Sequence, residues 1–253
     1  MNEQKTMDQD LNSCGLPEIR ELADRYYRDH GWEDIETLEA TDPDEAAFKV
    51  EAWARKAVAE DELPERLDYL EEVSRSESWR VRERVAMALK YANAHSFEQV
   101  EQTWYEWVEH DDNYVRRACE VGLMGVSANH VDPALQILDH LVSDSNDYVQ
   151  KSCGGFAVSF VANKDPAVGR TYLDRWIDSE NVRTRWNVAK AIGGAYGREN
   201  EHALTLAYRL SDDDEYRVRR AVASSLRSLF EKDAAVRERV DQWDDREEFR
   251  TTL

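Results

Sequence analysis

SWRVRERVAMAL (78–89), DNYVRRACEVGL (112–123), NDYVQKSCGGFA (146–157), NVRTRWNVAKAI (181–192) and EYRVRRAVASSL (215–226) are five copies of one pattern. Laid over one another they share Val81, Val115, Val149, Thr184 and Val218, in steps of 34, 34, 35 and 34 residues. A fixed period of this size marks stacked repeats and decides the architecture before any propensity argument. Within a copy, apolar or small residues recur at 0, +4, +7 and +8 (Val81, Val85, Ala88, Leu89; Val115, Cys119, Gly122, Leu123), which is a helical spacing. Ser78, Asp112, Asn146, Asn181 and Glu215 stand three residues before the shared position. The first four are residue types whose side chains cap free N–H groups at a helix start.

Second amphipathic stretches lie between these helices, at 63–75, 97–108, 133–142, 166–177 and 202–210. Pro64, Pro133 and Pro166 sit at their openings, where a missing N–H costs nothing, with Asp132 and Asp165 as caps. Two helices per repeat predict an all-α, right-handed α-solenoid of about six HEAT-like two-helix repeats. Residues 1–14 are expected to be a disordered N-terminus, and 15–60 N-terminal capping helices with a degenerate repeat. HEAT-like repeats then occupy 61–228, and a C-terminal capping helix and tail 229–253. No linker breaks the pattern, so one domain is expected.

Composition excludes several classes. The chain has 253 residues, 42% of them hydrophobic, with eight Trp, which is ample material for a packed core. Cys14, Cys119 and Cys153 are too few and too odd in number for a disulfide framework, so a reducing cytoplasm is expected. Cys119 and Cys153 share one repeat position and read as core residues. The longest weakly polar run, near 154–162, is far shorter than the roughly 20 residues of a membrane span. HExxH, CxxC, P-loop and GxSxG motifs are missing and the six His are scattered, so neither a metal nor a cofactor is expected. Gly193, Gly194 and Gly197 lie inside a helical pattern and read as sites of close packing.

A net charge of −20 argues against a nucleic-acid partner until its distribution is considered. From one residue before the shared position to three after it, the five copies carry eleven cations: Arg80, Arg82, Arg84, Arg116, Arg117, Lys151, Arg183, Arg185, Arg217, Arg219 and Arg220. Against them stands one acid, Glu83, so an acidic chain gathers a charge of +10 on five helix starts. Stacking would merge these into a stripe, where free N–H groups also favour phosphate. Trp79, Tyr114, Tyr148, Trp186 and Tyr216 interleave with the cations. The pattern suits duplex DNA or RNA. Two other uses stay open. Arg82, Arg116, Arg185 and Arg219 equally suit ion pairs with acids of a neighbouring repeat, and the acidic remainder would suit a basic protein partner. A non-catalytic protein–protein interaction scaffold is therefore the alternative. The acidity also suits a salt-rich cytoplasm.

Glu83 follows Trp79 by four residues, which puts both on one helix face. A carboxylate beside an indole can stabilise a positively charged sugar or base. SWRVRERVAMAL, together with WVEHDDNYVRRA from Trp107, and DYVQKS followed by KDPAVGRTYLDRWIDSENVRTRW, resembles the AlkC/AlkD-type HEAT-like-repeat DNA alkylation-repair glycosylases over residues 45–228. The resemblance implies excision of cationic alkylated purines, such as N3- or N7-methyl purines, from DNA held on a concave basic face, without metal or organic cofactor. Trp79 and Glu83 match the family's Trp-x-x-x-acid pattern, and Arg117 its groove arginine. Gly155 stands where AlkD-type members carry a second tryptophan, and Trp186 is the candidate substitute. The expected site is thus Glu83 as the catalytic group and Trp79 and Trp186 against the base. Arg80, Arg82, Arg116, Arg117, Lys151, Arg183, Arg185, Arg217 and Arg220 are expected on DNA.

Overall fold

The computed structural model describes residues 16–253. The expected N-terminal tail, 1–14, and Cys14 lie outside them. The described residues contain helices and no strand, and the chain divides into two compact units between Gly125 and Val126.

The first unit contains α1 (Leu16–Asp29), α2 (Trp32–Glu36), α3 (Pro43–Ala59), α4 (Leu63–Ser74), α5 (Trp79–Val108) and α6 (Asn113–Leu123). Pro43 opens α3 behind an Asp42 cap that accepts from the N–H groups of Asp44 and Glu45. Helix α5 is two helices joined at Ser96, whose φ of −143° and ψ of 34° break the ladder, so the 97–108 helix stands as the spacing predicts. The residues at 0, +4, +7 and +8 of the first two copies are all buried. The Trp104 indole is enclosed and donates to Asn93 Oδ1 at 2.8 Å, so its one polar atom is satisfied.

Under the start of α5 lies a buried charge network. Glu51 on α3 takes Arg55, one turn along the same helix, and Arg84 at 3.5 Å, and all three are almost fully enclosed. Burial pushes the Arg84 guanidinium down, Glu51 offsets part of that, and the nearby charge of Arg20 adds to the depression. Arg84 therefore anchors α5 to α3, while its neighbour Glu83 is half-exposed.

The second unit contains α7 (Val131–Leu141) and α8 (Asp147–Ser152), which runs through a π-turn at Cys153–Val158 into α9 (Ser159–Lys164). It continues with α10 (Pro166–Ile177), α11 (Val182–Ile192), α12 (Ala195–Glu199), α13 (His202–Leu210), α14 (Tyr216–Phe230), α15 (Ala234–Asp241) and α16 (Glu247–Arg250). Helix α7 begins two residues before Pro133, so Asp132 is not its cap. A 3-10 turn at Ala128–His130 leads into the helix, and the Asp132 carboxylate accepts the Tyr172 hydroxyl of α10 at 2.9 Å instead. Asp112, Asn146 and Asn181 cap as their types predict, whereas Ser78 and Glu215 make no side-chain cap bond.

The residue after each shared position has one repeated job. Arg82 Nη1 donates to the carbonyls of Ser76 (2.6 Å) and Glu77 (2.9 Å), and Arg116 Nη1 to those of His110 (2.6 Å) and Asp111 (3.0 Å). Arg185 reaches Ser179 (2.7 Å) and Glu180 (3.2 Å), and Arg219 reaches Asp213 and Asp214. In the third copy Gln150 Nε2 does the same to Asp144, at 2.7 Å. These groups tie each helix start to the turn that precedes it in its own repeat. Among these bonds the neighbouring-repeat acid is found at Arg185, which adds Asp213 at 2.6 Å and 3.1 Å.

Candidate nucleic-acid interface

In the first unit the arginine-tied turns fix where α5 and α6 begin, and at α6 the Asp112 cap adds to the tie. Trp79, the first residue of α5, is 66% exposed, an unusual position for an indole. Arg80 beside it is exposed and lies 3.6 Å from the Asp44 carboxylate. One turn on, Glu83 accepts from Arg117 Nη2 of α6 at 3.0 Å. The Arg82 guanidinium lies over the Tyr114 ring at 4.1 Å, in addition to its turn carbonyls. The unit thus brings together Trp79, Arg80, Glu83 and Arg117, and turns Arg82 and Arg116 to the backbone.

In the second unit Lys151, Arg217 and Arg220 are exposed, and Arg183 is half-buried. Arg217 spans repeats: its Nη2 donates to Gln150 at 3.4 Å, and its guanidinium lies 5.6 Å from the Trp186 ring centre. Trp186 is half-buried under that cation, unlike the open Trp79. Arg185 is committed to Asp213, whose hydrogen bond raises its pKa. Tyr216, at the start of α14, is 67% exposed. An open cleft of about 710 Å³ beside it is lined by Arg220, Arg227 and Arg246 but also by Asp214, Asp245 and Glu248, a mixture that favours no one charge.

The register placed one residue in the core that the structure puts outside. Phe156 is the +7 residue of the third copy, yet it is 56% exposed. The equivalents, Ala88, Gly122, Ala191 and Ser225, are small and buried. Even a methyl group on Gly122 would come within 2.9 Å of Leu89 Cβ, so a phenyl ring has no room in such a place. The π-turn at Cys153–Val158 adds a residue to the turn and carries the ring out, while Ala157 and Val158 remain buried. Gly154 makes the turn possible by passing the Asn187 carbonyl so closely that a Cβ would lie 2.3 Å from its oxygen. The signal was a large residue at a position where every other copy has a small one.

The thiols of Cys119 and Cys153 are buried, and burial pushes that of Cys119 well up, which removes its nucleophilicity. A Cβ on Gly193 would come within 2.9 Å of Ser225 Oγ and one on Gly194 within 2.6 Å of the Gly155 carbonyl oxygen, so both glycines serve packing. Among the described residues no group of three His, Cys, Asp or Glu is placed to hold a metal ion, and no helix is long and apolar enough to cross a membrane.

Residues 4–193 match the family described as DNA alkylation repair enzyme. The crystal structure of AlkD2 from Streptococcus mutans superposes with a TM-score of 0.61 at 20% identity, over 75% of this chain and 97% of that one. That of smu.31 from Streptococcus mutans UA159 gives 0.59 at 20% identity, over 74% and 96%. At such identity the likeness shows the fold, an all-α stack of HEAT-like helical pairs. Comparison with curated proteins gives no match. The family match spans most of the sequence, and on that ground the chain belongs to the DNA alkylation repair enzyme family, with the fold of its AlkD-type members.

Proposed function

We propose that the protein binds duplex DNA through its helix-start cations and excises alkylated, positively charged purines, with Glu83 as the catalytic group. The observation that carries the reading is the pairing of an open indole, Trp79, with a half-exposed carboxylate one turn away, bordered by Arg80 and Arg117. Arg80, Arg117, Lys151, Arg183, Arg217 and Arg220 are the phosphate ligands, while Arg82, Arg116 and Arg185 hold the turns that aim them. Trp186 and Trp79 are the aromatic surfaces, each within its own unit.

The charge arrangement suggests how binding and chemistry are coupled. In the free protein Arg117 neutralises Glu83 at 3.0 Å. A DNA phosphate competes for that guanidinium, and the carboxylate it leaves behind takes a cationic base as its new partner. Trp79 adds attraction between its ring face and the same cation. During hydrolysis the glycosidic C–N bond breaks and its electron pair returns to the base, which departs neutral. Water bonds to the sugar carbon and gives up a proton to solvent. The positive charge passes to the sugar in the transition state, where a fixed carboxylate lowers the barrier. Because the leaving base is already activated, one electrostatic group suffices and no cofactor is needed.

The binding half is tested by the salt dependence of duplex affinity. Phosphate contacts make log K fall linearly with log salt. Charge reversal at Arg117, Lys151 and Arg183 is expected to flatten that line and weaken binding together. A wild-type protein without salt-dependent DNA binding would overturn the reading in favour of the scaffold.

A further inference from the structure

We infer that residues 244–253 form an autoinhibitory strap, which holds the far end of a basic face of α14 and lifts when a duplex takes that face. The inference rests on the DNA-binding reading above and adds to it a segment that controls access.

Tyr216, Arg220, Ala223 and Arg227 stand at i, i+4, i+7 and i+11 of α14, which sets them along one side of the helix, and all four line the open cleft of about 710 Å³. Ala223 holds the repeat position of Gly154 and Ala189. In those copies this side is met by the copy that follows: the Gly154 N–H donates to Asn187 Oδ1 at 3.0 Å, and the Ala189 carbonyl accepts from Ser225 Oγ at 2.8 Å. After the fifth copy come α15, α16 and the strap instead. They cover the side only in part, so the cleft remains, and Arg220 and Arg227 are exposed.

The strap takes the Arg227 end. Arg227 Nη2 donates to the Thr252 carbonyl, and its Nε to that of Leu253 at 3.5 Å. The Asp245 carboxylate accepts from the Tyr208 hydroxyl at 2.6 Å, and the Arg246 guanidinium lies 4.7 Å from the Tyr208 ring centre and 3.5 Å from the Asp212 carboxylate. These ties bring the carboxylates of Asp245 and Glu248 to the cleft that Arg220 lines. The strap thus sets carbonyl and carboxylate oxygens beside the cations that would otherwise meet phosphate oxygens. Its hold is light. Exposed ion pairs contribute little, and Phe249 is the one buried residue of 244–253, all of which are described. A segment with so few enclosed contacts opens at low cost. A polyanion that offers phosphates to Arg220 and Arg227 therefore competes directly with the strap.

The test uses the full-length protein, with duplex affinity measured across salt and hydrogen exchange followed at 244–253. Exchange there should quicken when the duplex is added to wild type. Tyr208→Phe removes the hydroxyl that holds Asp245, Phe249→Ala removes the buried anchor, and neither changes the charge. A closed strap lowers the apparent affinity by the fraction of molecules in which it is open. Tyr208→Phe should therefore bind roughly two- to tenfold more tightly, the scale of one hydrogen bond, and Phe249→Ala at least as tightly, both with the wild-type salt slope. Glu248→Gln should gain up to about fivefold at low salt and converge on wild type as salt screens the lost charge. A segment that only caps the stack gives the contrary result. Exchange would be unchanged by the duplex, and all three variants would bind as wild type does, with a lower unfolding midpoint for Phe249→Ala. That result overturns the strap and leaves the DNA reading standing. Absence of salt-dependent binding in wild type overturns both.

Discussion

Replacing Arg116 by alanine separates what the basic helix starts do for the fold from what they do for a ligand. The wild-type guanidinium donates from Nη1 to the His110 and Asp111 carbonyls of the turn between α5 and α6, at 2.6 Å and 3.0 Å, and closes that turn onto α6. Hydrogen bonds from a charged group contribute about 1.5–3 kcal/mol each when enclosed. Arg116 is half-exposed, so water replaces part of the loss, and about 2 kcal/mol in total is the expected cost. Arg116→Gln should recover most of it, because Gln150 performs the same task in the third copy with a bond of 2.7 Å. The assay is urea unfolding of the full chain followed by circular dichroism, with duplex affinity measured across salt on the same three proteins. The alanine variant should unfold at lower urea, the glutamine variant near wild type, and the salt slope should be the same in all three. Wild-type stability in the alanine variant, together with a slope reduced by about one, would refute the reasoning and make Arg116 a phosphate ligand.

Further outcomes follow from the packing. Glu51→Gln removes the shared partner of Arg55 and Arg84 inside the first unit and should destabilise it by about 3–5 kcal/mol, read as a shift in the unfolding midpoint. Gly154→Ala places a Cβ 2.3 Å from the Asn187 oxygen and should cost at least about 1–3 kcal/mol, whereas Gly155→Ala meets its nearest neighbour, the Lys190 carbonyl, at 3.7 Å and should be tolerated. Burial pushes the Tyr172 and Tyr196 hydroxyls up to about 12. The neutral form is thereby favoured in the folded protein, so their contribution is complete below the unfolded value of about 10 and is lost as pH rises toward 12. Alkaline titration of the unfolding midpoint should show that fall.

The period of the five copies contained the helix pairs almost to the residue, since core size repeats at fixed positions; α10 and α13 match their expected spans, 166–177 and 202–210. Legibility was lower where a side chain could choose between partners of equal chemistry. A row of arginines at one repeat position reads equally as phosphate ligands, as ion pairs, or as the turn ties that they are here, because all three need the same guanidinium. Gln150 was the available clue: a neutral residue in an otherwise cationic column indicates a task that needs a donor rather than a charge. The buried Glu51–Arg55–Arg84 network was hidden for a similar reason, as enclosure of charge depends on a contact between Glu51 and Arg84, 33 residues apart on different helices. Phe156 was legible only as a misfit of size, and its direction depended on a π-turn that helical spacing does not encode.

The central claim is chemical, and release of free methylated base from methylated duplex DNA tests it most directly. Purified wild type, Glu83→Gln and a protein-free control are compared under conditions in which both proteins bind the duplex. Release above the spontaneous rate by wild type, lost in Glu83→Gln while that variant binds as well or more tightly, is the predicted result. Release no faster than the control, or equal in the two proteins, would contradict it.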